Sequence, residues 1–156
     1  MAASHQAVNK LPEFEEVWEA YPDQGQSDLL KSLGQDKNGP WRRDECSALM
    51  VSVALTEAGY TLPRTFVHKP DELKSAGGKN LCVDVADLVA TLKQHVGQGK
   101  NIQDQGKVAG QKGIILFEGV DSIKDQTGHI DLFNGTITKG TEYFSEAEKV
   151  TFWELA

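Results

Sequence analysis

An α+β fold is predicted by three features of this 156-residue sequence. Helix-type patterning dominates the chain before Gly113, short apolar runs of strand type follow it, and Asn134-Gly135, a hairpin-turn dipeptide, ends one of those runs. Helices first and antiparallel strands afterwards give a sheet with helices packed on it.

The elements are read in chain order. A first helix is predicted from about Leu11 to Ala20: Pro12 suits a first turn, and Phe14, Val17 and Trp18 fall at i, i+3, i+4. Tyr21-Pro22 ends it, because proline disfavours helical geometry in the residue before it. Gly25, Gly34 and Asn38-Gly39-Pro40 mark turns around a short helical candidate, Ser27 to Leu33. Cys46 to Ala58 is the strongest helix, with Asp44 as N-cap and Gly59 at the C-terminal cap. Ala48, Leu49, Met50, Val51, Val53, Ala54 and Leu55 make it apolar on nearly every side, so it is predicted to be buried at the centre of the fold. Val83 to about Val96 carries one apolar stripe, Val85, Leu88, Val89, Leu92 and Val96, and Gly97-Gln98-Gly99 closes it. Gly113 to Glu118 and His129 to Phe133 then read as strands. Thr136 to Tyr143 is a weaker strand candidate, and Val150 to Leu155 a last one.

Composition narrows the function. Sixteen Lys and Arg against 23 Asp and Glu leave a net charge of −7, which argues against nucleic acid and against an anionic membrane surface as partners. With 39% hydrophobic and 25% charged residues the chain can bury a core, and its length suits one domain spanning 1–156. No apolar run reaches the roughly 18 residues of a membrane span. Met1-Ala2-Ala3-Ser4-His5-Gln6 has neither a basic stretch nor an apolar one, so a soluble cytoplasmic product without a secretory signal is expected.

Two cysteines make no disulfide framework. Lying 36 positions apart without Cys or His at ligand spacing, Cys46 and Cys82 also make no recognisable zinc site, and no metal or cofactor is expected. Cys46 falls at the start of the buried helix, where backbone N–H groups and the helix dipole favour a thiolate and can stabilise an oxyanion. A packed cysteine is the plainer reading of that position, and it is the one adopted for Cys82. His5, His68 and His95 fall in a terminus, a loop and a polar helix end. His129 follows Gly128 at the start of an apolar strand, as though glycine permits a close approach there; it reads either as a satisfied, half-buried histidine at a strand end or as an imidazole that takes a thiol proton and returns it to a leaving amine. Two carboxylates compete to orient that imidazole. Asp131 shares its strand face, but residues two apart along a strand are roughly 6–7 Å apart. Glu142, across the predicted hairpin, is expected to have the better access. Nucleophile, base and acid in that order match a papain-like cysteine hydrolase.

The stretches Trp41-Arg42-Arg43-Asp44-Glu45-Cys46-Ser47-Ala48-Leu49-Met50-Val51-Ser52-Val53-Ala54-Leu55 and Thr127-Gly128-His129-Ile130-Asp131-Leu132-Phe133-Asn134-Gly135 resemble the type VI secretion amidase effectors of class four. Phe14 to Pro22 is similar to that family's first helix, and Val83 to Leu88 to its middle helix. The resemblance implies a single papain-like, NlpC/P60-type amidase domain, with a buried helix carrying the nucleophile packed on an antiparallel sheet. It implies hydrolysis of the γ-D-glutamyl–meso-diaminopimelate amide of peptidoglycan stem peptides. Delivery by the type VI machinery into a rival's periplasm, and a dedicated immunity protein, are implied with it. The family's nucleophile falls on Cys46 and its base on His129. Its third residue is an aspartate between two disulfide-bonded cysteines, but Thr138-Lys139-Gly140-Thr141-Glu142-Tyr143 holds neither, so Glu142 is the best local substitute and Asp131 its rival. The asparagine usual near the nucleophile is replaced by Asp44-Glu45. A cysteine hydrolase or acyltransferase of other specificity, and a catalytically silent peptide-binding module, are the alternatives.

Overall fold

The computed structural model describes residues 11–22, 47–62, 81–82, 85–103, 105–121 and 128–156. Cys46, the proposed cap Asp44, the candidate helix Ser27 to Leu33, His5 and His68 lie outside the described residues.

Three α-helices and a four-stranded antiparallel sheet make up the described chain. Helix α1 spans Phe14–Ala20, later than the predicted start at Leu11. Glu13 is its N-cap, in an extended conformation, and its carbonyl accepts the Val17 N–H, so the first turn opens only after Pro12-Glu13. Tyr21, also extended, stops the helix before Pro22, as predicted. Helix α2 spans Ser47–Glu57, and every residue in it is buried except Met50 and Glu57. Gly59 closes it at φ +109°, while the Tyr60 N–H reaches back to the Leu55 carbonyl at 2.9 Å. Helix α3, Val85–His95, buries Val85, Leu88 and Leu92 on one side.

Strands β2 (Gly113–Glu118), β3 (Gly128–Phe133) and β4 (Lys149–Glu154) lie where strands are predicted, within a residue at each end. Strand β1 (Lys100–Ile102) and the 3-10 turn Gln105–Val108 are additions. A three-residue strand with one buried side chain is too short to carry a period. The sheet order is β1-β4-β2-β3, so among the described residues β3 is an edge strand. In its register with β2, Phe117 faces His129 and Ile115 faces Asp131.

The predicted strand from Thr136 to Tyr143 does not form. Asn134 Oδ1 accepts the N–H groups of Thr136 and Ile137 in a tight turn, and pairing back to β3 stops at a single bridge, Phe133 to Thr138. The chain then turns across the sheet, where Tyr143, Phe144 and Ala147 pack on it.

The sheet therefore has two differently covered faces. Ile114, Leu116, Ile130, Leu132 and Trp153 pack with Val17, Val51, Leu55 and Leu88 of the helices. On the opposite side Ile115, Phe117, Phe133, Val150 and Phe152 form a second cluster with Ile102 and Val108. Strand alternation sends His129 and Asp131 to this second side.

Candidate active site

Among the described residues, the edge position of β3 leaves backbone groups that no strand pairs. One of them, the Ile130 N–H, donates to Ser47 Oγ at 3.2 Å. The first turn of the buried helix is thereby tied to the edge strand, one residue from His129. A buried N–H left alone would cost on the order of 1–3 kcal/mol, so the serine satisfies the strand edge and fixes the helix start beside it.

His129 itself is 4% exposed. Its ring stacks on Phe117 at 6.2 Å between centroids and meets the edge of Tyr143 at 5.1 Å. These two aromatic walls hold the imidazole plane. Immediately before it, a Cβ at Gly128 would strike the Phe117 carbonyl oxygen of β2, which is the close approach that the Gly128-His129 pair predicts.

Asp131 is fully buried and is the carboxylate that meets the imidazole: His129 Nε2 lies 2.8 Å from Asp131 Oδ2. The same Oδ2 accepts the Gly140 N–H at 2.9 Å, and Oδ1 accepts the Leu132 N–H at 2.8 Å. A buried carboxylate needs such partners, because it is costly to desolvate and accepts hydrogen bonds without donating any when ionised. An acceptor at Nε2 assigns the ring proton to that nitrogen and makes Nδ1 the basic one.

This geometry corrects the expectation that Glu142 has better access than Asp131. Glu142 stands in the loop after the single bridge, exposed, and its carboxylate turns back to accept the Phe144 N–H at 2.6 Å. Backbone spacing misleads at Asp131: the imidazole extends its far nitrogen along the strand face, and the two side chains together close the gap.

The remaining candidates separate clearly. Cys82 is buried in the helix-side core, with its backbone N–H donating to Ser52 Oγ at 3.1 Å, in keeping with a packing role. His95 is exposed at the end of α3. Among the described residues, no group of three or more His, Cys, Asp or Glu side chains is placed to hold a metal ion. No described helix is long and apolar enough to cross a membrane. Ser47, Gly140 and Tyr143 escaped the sequence reading. Nothing in their local sequence marks them, since each acts through a contact with β3 made across the fold.

Residues 43–153 match the family model described as type VI secretion system (T6SS), amidase effector protein 4. Among solved structures, the chain is similar to the type VI effector–immunity complex Tae4–Tai4 from Enterobacter cloacae, with 23% identity and a TM-score of 0.78 over 94% of this chain and 100% of that one. The effector Tae4 from the same organism aligns at 23% identity and a TM-score of 0.77, over 96% and 99%. The Tae4–Tai4 complex from Salmonella Typhimurium aligns at 22% identity and 0.79, over 94% and 100%. At such identities the likeness shows a shared fold. A comparison with curated proteins gives no match.

Proposed function

The chain belongs to the type VI secretion system amidase effector 4 family, and from that membership we propose an antibacterial toxin that cleaves peptidoglycan stem peptides at the γ-D-glutamyl–meso-diaminopimelate amide. Cys46 is its nucleophile, His129 its base and Asp131 the acceptor that orients the base, on an NlpC/P60-type, papain-related scaffold. It acts in the periplasm of the target cell after delivery by the type VI machinery. An immunity protein neutralises it in the producer's kin, as the complexes of similar effectors suggest.

The observation that carries this reading is the buried imidazole. It is bonded to Asp131 through Nε2, and it neighbours the residue to which Ser47 is bonded. Ser47 follows Cys46 in the chain. With Nε2 protonated, Nδ1 takes the thiol proton of Cys46. The thiolate then attacks the amide carbonyl carbon, and the resulting imidazolium returns the proton to the departing amine of diaminopimelate, leaving a thioester. Water, deprotonated at the same nitrogen, releases the glutamyl carboxylate and restores the thiol. Asp131 stabilises the imidazolium in both halves without itself taking the proton.

Digestion of purified muropeptides, read by mass spectrometry, tests the proposal. The expected products are the two fragments of the γ-glutamyl bond, together heavier than the substrate by one water. Cys46→Ala should abolish them, while Cys82→Ala should leave turnover within about twofold, losing only packing of a small side chain. Near wild-type turnover in Cys46→Ala would overturn the assignment of the nucleophile.

A further inference from the structure

We propose that Gly140 is a positioning residue. Its missing side chain leaves the space that the Asp131 carboxylate occupies, and its N–H holds that carboxylate against His129. This inference rests on the catalytic reading of His129 and Asp131 given above.

The argument is geometric. A Cβ built on Gly140 would lie 2.6 Å from Asp131 Oδ2, closer than real Cβ contacts come. Its next neighbours, Asp131 Cγ at 3.5 Å and the Tyr21 hydroxyl at 3.6 Å, are at ordinary van der Waals distance. Gly140 has no left-handed φ, so its backbone suits any residue. The demand for glycine therefore comes from one oxygen atom, and that atom is the one His129 uses. Oδ2 receives both the Nε2 bond at 2.8 Å and the Gly140 N–H at 2.9 Å.

The turn that carries Gly140 is fastened to β3 and to α1. Lys139 N–H donates to the Leu132 carbonyl at 3.0 Å, Thr138 Oγ1 donates to the Gly140 carbonyl at 3.0 Å, and Lys139 Nζ stands 4.6 Å from the centre of the Trp18 ring. A methyl group at position 140 then meets a carboxylate end that can swing, on a turn that is anchored. The fold has room for the substitution, whereas the His129–Asp131 bond does not. Polar groups that hold a catalytic imidazole's partner affect rate more than binding, because the imidazolium forms in the transition state.

The test is a double-mutant cycle of Gly140→Ala and Asp131→Asn, with kcat and KM measured on muropeptides. It is accompanied by thermal unfolding and by NMR of histidine ring nitrogens in ¹⁵N-histidine-labelled protein. Gly140→Ala alone is expected to fold cooperatively and to lower kcat about tenfold or more, with KM changed by less than about threefold. In the Asp131→Asn background it should cost less than about twofold more, since the group it acts through is already altered. The His129 ring signals of Gly140→Ala should lose the Nε2-protonated pattern of the parent. Three results each overturn the inference: wild-type kcat and ring signals in Gly140→Ala, the same fold-loss in both backgrounds, or a variant that does not fold. If the parent protein itself cleaves no muropeptide, the proposed function fails, and the ring signals still decide the role of Gly140.

Discussion

Strand β3 divides its residues between two different tasks. Ile130 and Leu132 face the helices in a continuous apolar layer with Ile114, Leu116 and Trp153. His129 and Asp131, one position away each, face the opposite side beside Phe117 and Tyr143. The helix side is closed by regular elements whose side chains repeat at fixed intervals. The other side is closed by a loop, the stretch after Thr138, and by a 3-10 turn. A loop can bring one backbone N–H to one carboxylate oxygen, as Gly140 does for Asp131. A helix face offers only side chains, since its own N–H groups are spent inside it. Covering a sheet with loop on one side thus gives it a polar site, while the helix-covered side supplies the rigidity behind that site.

If this division holds, substitutions on the two faces should separate rate from stability. The largest effect on rate is expected at His129, where removal of the proposed base in His129→Asn should lower turnover by about 10²- to 10⁴-fold. Its unfolding midpoint should move little, because the asparagine still fills part of the space between Phe117 and Tyr143. Steady-state kinetics beside a thermal melt measure both quantities on one sample. A variant that keeps most of its activity would remove His129 from the mechanism and leave β3 with one task.

Leu132→Ala is the converse experiment. The side chain is fully buried on the helix side, so its truncation should cost about 2–5 kcal/mol of stability in denaturant unfolding. Its backbone N–H, which holds Asp131 Oδ1, survives the change. Turnover per folded molecule, measured well below the melting temperature, should therefore stay within a few-fold of the parent. A large loss of turnover with intact folding would show that the two faces are coupled through the strand.

The same division explains what could be read from the sequence. The helix side was legible almost in full, because burial there marks the sequence: the all-apolar run of α2, the stripe of α3 and the short apolar runs of β2 and β3 each stand out between turn residues. His129 was legible as well, through the glycine that lets β3 approach Phe117 closely. Which carboxylate meets His129 is harder to read, because that contact depends on side-chain reach and on a loop that leaves the sheet after one bridge. Neither follows a period. Ser47 and Gly140 were invisible for the same reason, as their partners lie 83 and 9 positions away.

The smallest expected effect falls on Glu142, and its comparison with Asp131 tests the loop-covered face most closely. Asp131→Asn keeps the size of the side chain but replaces an acceptor with an amide that can turn a donor toward Nε2. The imidazole then loses its fixed tautomer and the charge that stabilises its protonated form, and turnover should fall about tenfold to a thousandfold. Glu142→Gln removes a charge from an exposed side chain whose carboxylate already bonds its own loop, at Phe144 N–H. An amide oxygen can accept that same N–H, so the turn keeps its bond and turnover should stay within about twofold. Both variants assayed on one muropeptide substrate give a ratio, and only a low ratio of Asp131→Asn to Glu142→Gln activity agrees with the acceptor lying on β3. A crippled Glu142→Gln beside an unimpaired Asp131→Asn would move the orienting group from the strand to the loop. The carboxylate that completes the site would then be one that β3 does not carry.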